Sequence, residues 1–377
     1  MIRAAAAIVF VHVNKSSRLR AGGAPASRAR RDFGAWSMVS AISAVSALMV
    51  VHGAAAPGAT VPPDVRAVLS RDLKFSSTDF TDLERGRIVK HTLDATAPGE
   101  VAVAAATRVG VRKEQFIERL RDIAQFKRGP DVVQIGRFGN PPALEDLAPL
   151  QIGREDIDLR NCRVGNCDIR LPRNVIERFQ RDIDWNAPDA DARAATLFRQ
   201  VLLDNVRAYE ADAPGRILEY DDEKRPVRPV DDFDGLLRAS KYVGALVPEM
   251  PAHLLNPSSA PMANAEDFVY WSKEKFGLTP FITVTHVTIC PIRSGAYVIA
   301  SRDVYSTRYV DASLSFTIAS DVAGAEGACY LVYANRSRAY ALKGPFAGLR
   351  RSIVERRTRN SVEENLRNMK MKLEGAR

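Results

Sequence analysis

The C-terminal stretch from Phe281 onward constrains this chain more than any other part of it. Four segments, Phe281 to Cys290, Tyr297 to Val310, Ala312 to Ser320 and Ala328 to Arg338, are rich in β-branched and aromatic residues and are separated by short turns. In the third, Leu314, Phe316 and Ile318 alternate with Ser313, Ser315 and Thr317, which is the period of a strand. Turns this short favour antiparallel pairing. After Gly344 and Pro345 the pattern becomes a long helix to about Leu373. Its apolar stripe is Val354, Val362, Leu366, Met369 and Leu373, continued at the start by Phe346 and Leu349.

Upstream, Val65 to Leu73 reads as a short helix. Arg87 to Leu93 and Glu100 to Val111 read as a hairpin turned by Thr96-Ala97-Pro98-Gly99. Lys113 to Phe126 follows with Phe116, Leu120 and Ile123 at helical spacing, and Val132 to Phe138 returns to strand before Gly139-Asn140-Pro141-Pro142. Between about 143 and 276 the period is helical: Val175, Ile176 and Phe179 fit one helix, Leu197 to Tyr209 a longer one, and Phe233, Leu236 and Leu237 a third. Polar, proline-bearing breaks fall around Asp189, from Asp221 to Pro229 and from Pro248 to Pro261, and Phe268, Trp271 and Phe276 close the block as an aromatic face. The expected organisation is an α+β protein with a leader (1–55), a linker (56–64), a first part of the core (65–140), a mostly helical insertion (141–278) and a second part of the core (279–377). Its strands would form an antiparallel sheet with the long C-terminal helix packed onto it.

Charge is unevenly placed. The formal net charge is +9, but residues 1 to 55 contribute +6 of it, with seven basic groups against the single acid Asp32. The remaining +3 is spread through mixed-sign sequence, which removes the composition argument for a nucleic-acid partner. Arg28, Arg30 and Arg31, the uncharged apolar run Ala35 to Val51 and the small residues after it have the order of a secretory signal, with cleavage expected after Ala55. Arg30-Arg31-Asp32-Phe33 also resembles a twin-arginine signal, so both export routes stay open, as does an uncleaved anchor. The expected location is the periplasm or cell envelope. Cys162 and Cys167 sit close together around Gly165-Asn166, a pair able to supply a tight turn, and a disulfide is expected between them in an oxidising compartment. Cys290 and Cys329 fall on strands as small buried residues, able to pair only if those strands are neighbours.

The order of strands, helix, four further strands and a long terminal helix resembles the helix-grip fold of the START and polyketide-cyclase superfamily, over roughly residues 85 to 140 and 280 to 375. That resemblance implies a curved sheet around the last helix with an apolar cavity between them. The segments Cys162-Arg163-Val164-Gly165-Asn166-Cys167-Asp168 and Tyr270-Trp271-Ser272-Lys273-Glu274-Lys275-Phe276-Gly277 are also similar to segments of uncharacterised exported bacterial proteins.

Candidate chemistry is sparse. There is no glycine-rich phosphate loop, no G-x-S-x-G and no H-E-x-x-H, and neither a metal nor a cofactor is expected. His286 lies mid-strand on the face of Ile282 and Val284, where burial would lower its pKa and make it a usable base; a core histidine satisfied by a carbonyl is the plainer reading. Tyr305 and Tyr309 are placed on one strand face with Tyr297 and Asp303, where tyrosines can line a pocket or simply be strand residues. His91 is a lone strand histidine. Asp221-Asp222-Glu223 and Asp231-Asp232 read as solvated turn and helix-start residues. Arg350, Arg351, Arg356, Arg357 and Arg359 make the last helix basic. A ladder of Arg351, Glu355, Arg359, Glu363 and Arg367 accounts for it, peripheral membrane contact being the alternative. The expected function is to hold an apolar or amphipathic, lipid-like small molecule between sheet and C-terminal helix, with His286, Tyr305 and Tyr309 at the ligand. The alternatives are a cyclase- or dehydratase-like enzyme with His286 as base, and an envelope structural protein without a ligand.

Overall fold

The computed structural model describes residues 61–213, 216–275, 279–343 and 347–375. The leader, its cleavage point, residues 56–60 of the linker, Phe276, Gly344, Pro345 and Phe346 lie outside them. The helices are α1 (Pro63–Asp72), α2 (Ser77–Glu84), α3 (Lys113–Arg121), α4 (Ile123–Phe126), α5 (Arg173–Asp182), α6 (Ala190–Glu210), α7 (Pro229–Ala239), α8 (Lys241–Leu246), α9 (Met250–Leu255) and α10 (Ala347–Gly375). The strands are β1 (Val89–Thr92), β2 (Glu100–Val109), β3 (Val132–Arg137), β4 (Glu266–Glu274), β5 (Phe281–Pro291), β6 (Tyr297–Ser306), β7 (Ala312–Asp321) and β8 (Cys329–Arg338).

All eight strands form one open antiparallel sheet in the order β1-β2-β8-β7-β6-β5-β4-β3. The run from β4 to β8 is a meander, as the short turns require. The N-terminal hairpin closes one edge by pairing β2 with β8, Ala104 opposite Ala334. Alternation divides the strands between two covered faces. On one, Ala102, Ala104 and Ala106 of β2 and Leu314, Phe316 and Ile318 of β7 pack against α1, α2 and α7 to α9, while Trp271, Val284 and Tyr305 pack under α5 and α6. On the other, Val103, Ala105 and Tyr333 meet Val362 and Leu366 of α10, and Val287, Ile289 and Ile299 meet Phe116, Ile117 and Leu120 of α3. The chain is thus an α+β protein with helices on both sides of the sheet. α10 lies over β1 and β2 at one end of it instead of being wrapped by the whole sheet.

β4 is a strand inside the stretch read as helical. Phe268 and Trp271 are three apart and imitate a helical stripe, but Phe268 and Tyr270 face α3 whereas Val269 and Trp271 face α6. A strand covered on both faces has no polar side, so its period of two disappears. Gly136 of β3 makes room for the Trp271 ring, since a Cβ there would lie 2.5 Å from it. Trp271 in turn donates Nε1–H to the Asp146 carbonyl at 2.9 Å. The helix α2 also escaped the sequence reading, although its start is a capping box: Ser76 Oγ accepts from the Asp79 amide and the Asp79 carboxylate accepts from the Ser76 amide. Leu349, placed on the apolar stripe of α10, is 65% exposed.

Cys162 and Cys167 lie at disulfide distance, 1.98 Å between sulfurs. The turn between them has Gly165 at φ +77°. Asn166 does not share that conformation; it exchanges two backbone hydrogen bonds with Arg163 instead. Cys290 and Cys329 are free and buried, on strands that are not neighbours.

Candidate functional site

The face of the sheet under α3 and α4 encloses a cavity of about 100 Å³. Strand alternation sets its chemistry. Thr283 and Thr285 of β5, Ser301 and Asp303 of β6 and Ser313 and Ser315 of β7 turn their polar groups toward it, while Phe116, Leu120 and Ile123 roof it. Asp303 is its central ionisable group. Thr285 Oγ1 donates to its Oδ1 at 2.9 Å, and burial pushes its carboxyl up to about 6. At the rim Lys127 donates to Glu274 at 2.8 Å and to the Tyr270 hydroxyl at 3.1 Å. Ser272 also donates to Glu274, at 2.6 Å. This rim is a closed ion-pair network, whereas Asp303 keeps part of its surface open to the cavity.

A second polar cluster occupies the opposite face. Asp267 of β4 lies beside Thr288 in the β4–β5 register, two residues along β5 from His286 and on the same face. Its Oδ1 is 2.8 Å from His286 Nε2, 3.0 Å from His253 Nε2 and 2.7 Å from Thr288 Oγ1. Tyr209 of α6 places its hydroxyl 2.9 Å from His286 Nδ1, and His253 Nδ1 is 2.9 Å from the Ala260 carbonyl oxygen. Burial alone would raise Asp267, but its bonds from His253, His286 and Thr288 hold it well below the usual carboxylate range. Burial lowers His286 and prevails over Asp267. At His253 burial also acts downward, and Asp267 overrides it upward. Glu210, at the end of α6, is pushed up to about 7 by burial and by the Asp267 charge.

The residues singled out from sequence are therefore separated. His286 is on the face of Ile282 and Val284, as its strand position implies, but away from the cavity. Tyr305 is also away from it. A register shift at Val284 and Thr285 puts Tyr305 opposite Val284 and Asp303 opposite Thr285, so that the two residues read as sharing a face point to opposite sides. The Tyr305 hydroxyl donates to the Arg170 carbonyl at 2.8 Å in the core beneath α6. Tyr309, beyond the end of β6 at φ +70°, does line the cavity and donates to the Thr279 carbonyl. His91 pairs with Asp79 at 3.1 Å. Asp231 and Asp232 stand in the first turn of α7, and Asp221, which is buried, accepts from the Arg173 amide at the start of α5. Sequence reasoning missed Asp303 as a site, and it missed His253 and Asp267 altogether. Asp267 was hidden by the misread strand, and His253 by its place in a proline-bearing break.

Fold and site together define an α+β protein with a three-layer arrangement, a polar-floored cleft on one face of its sheet and a histidine-carboxylate cluster on the other. None of the family models, curated proteins or solved structures compared with the chain matches it.

Proposed function

We propose that this chain is an exported small-molecule-binding protein whose ligand sets a polar end on Asp303, in the cleft between the sheet and α3–α4. The observation that carries the reading is the Asp303 carboxylate, buried on the floor of a cavity with Thr285 as its hydrogen-bond donor. A buried carboxylate costs free energy until donors satisfy it, and a hydroxyl or amine on a ligand supplies them. The apolar roof suits an amphipathic molecule. Size narrows the class, because on the scale where one water needs about 10–15 Å³ a cavity of about 100 Å³ takes a head group and its first carbons, not a whole lipid.

The sheet with α10 is read here as helix-grip-like, with α10 displaced to one end and α3–α4 over the cavity. Export is supported by the basic, apolar and small-residue order of residues 28–55 and by the Cys162–Cys167 pair, which suits an oxidising compartment. Among the described residues no helix is long and apolar enough to cross a membrane. An enzyme using His286 as base has less support, since both its ring nitrogens are engaged and neither it nor Tyr305 lines the cavity. A ligand-free scaffold leaves the polar floor without a role. Arg351 and Arg367 pair with Glu355 and Glu363 at 2.7 Å, which favours a solvated helix face over contact with anionic lipid.

Native mass spectrometry of protein purified from its own envelope tests the reading. One retained small molecule per chain is expected, and in titration with that molecule Asp303→Asn should weaken binding about tenfold or more, the worth of one charge-assisted hydrogen bond. A chain that retains nothing, or whose affinity is indifferent to Asp303→Asn, would remove the proposal.

A further inference from the structure

The histidine-carboxylate cluster is independent of the ligand cleft and lies on the other side of the sheet. His253 from α9, Asp267 from β4 and His286 from β5 each bring one ligand atom to a common point, all three within 4.8 Å of one another. We propose that these three side chains bind a divalent transition metal of the zinc class, with the remaining coordination open to solvent beside Asp267.

The donor and acceptor roles lead there. His253 stands between two acceptors, the Ala260 carbonyl at Nδ1 and Asp267 Oδ1 at Nε2. A neutral imidazole carries one N–H. With that N–H on the carbonyl, the Nε2 lone pair faces a carboxylate oxygen, and either a second proton, which Asp267 favours, or a metal cation in the proton's place makes the contact attractive. Metal-bound histidine is commonly held this way, one nitrogen on the metal and the other N–H on a carbonyl or a polar side chain. His286 has the same orientation, with Nε2 toward Asp267 and Nδ1 at the Tyr209 hydroxyl. Thr288 Oγ1 bonds the same carboxylate oxygen at 2.7 Å, as an outer-shell partner would.

Scale and access agree with this. Zinc bonds of about 2.0–2.1 Å in a tetrahedral site put adjacent ligand atoms about 3.3 Å apart. The Nε2 to Oδ1 separations of 2.8 and 3.0 Å therefore need to open by a few tenths of an ångström, and the two histidine nitrogens, within 4.8 Å of each other, need to settle at the same spacing. Two imidazoles and a carboxylate are a zinc-type donor set with a position to spare. The side chains of His253 and His286 are 4% and 3% exposed and Asp267 is 36% exposed, so the approach is from the carboxylate side. Arg302 and Arg216 are opposing cations nearby, both over the Tyr209 ring; the first is engaged by the Leu254 carbonyl at 2.6 Å and the second pairs with Asp212 at 3.7 Å.

The test is calorimetric titration of zinc chloride into the full chain, purified without a polyhistidine tag and stripped with chelator, alongside cobalt substitution followed by visible absorption. One zinc per chain with a Kd in the micromolar range or tighter is expected, together with the absorption of a four-coordinate cobalt site. His253→Ala and Asp267→Asn should each weaken binding about a hundredfold, and Tyr209→Phe about tenfold by releasing His286. His91→Ala, remote from the cluster and paired with Asp79, should bind as the parent does. No zinc uptake, or unchanged affinity in both ligand variants, overturns the proposal. If those variants fail to fold, the thermal melting of the unaltered chain decides: zinc should raise it, and no rise overturns the site.

Discussion

Asp303 occupies a position where a carboxylate works against folding. Its carboxyl is pushed up to about 6 by burial, so the folded protein holds the proton to higher pH than the unfolded chain does. The stability this contributes is full below the ordinary carboxylate value and is lost as pH rises through about 6. Asp303→Asn should accordingly stabilise the protein by roughly 1–3 kcal/mol at about pH 8 and change little near pH 4; urea unfolding at the two pH values measures it, and equal effects at both would contradict the assignment. Asp267 has the opposite sign. Its depressed carboxyl contributes stability that is present above the ordinary value and is lost as pH falls through its folded one. Tyr305 belongs to the core and not to the ligand. Tyr305→Ala is expected to cost roughly 3–5 kcal/mol, as for a large buried aromatic side chain, and calorimetric melting reads that loss.

Among the elements, α10 was the most legible and β4 the least. The stripe Val354, Val362, Leu366 and Leu373 is buried as its spacing requires, because only one side of α10 meets the sheet. Leu366→Ala should cost roughly 2–5 kcal/mol, and Arg367→Ala, which removes an exposed pair with Glu363, about 0.5 kcal/mol or less. Denaturant midpoints with equal slopes compare the two, and small equal losses would mean that α10 is not docked through this stripe. In β4, covered on both sides, apolar residues serve two layers and the pattern carries no face.

For the molecule as a whole, the short loop closed by Cys162 and Cys167 should add about 2–3 kcal/mol by the chain-entropy model. Cys162→Ser measured against the oxidised parent tests this, and no loss of stability would mean that the bridge does not form. Export predicts a mature amino terminus near residue 56, read by N-terminal sequencing of the envelope protein; a terminus that retains Trp36 would indicate an anchor.

The local pattern by itself determined the antiparallel run β5 to β8, the docking stripe of α10, the helices α5 to α7 and the closeness of Cys162 to Cys167. Each of these rests on the contrast between a buried and a solvated side within one segment, or on a few residues of chain. Tertiary structure alone decided that β2 joins β8, that β4 completes the sheet and that a register shift sends Asp303 and Tyr305 to opposite faces. It also gathered His253, Asp267 and His286 from three elements. Those outcomes depend on pairing register and on layers covering both faces of the sheet, and once both faces are covered the polar-apolar alternation that a sequence can display no longer says which side a residue is on.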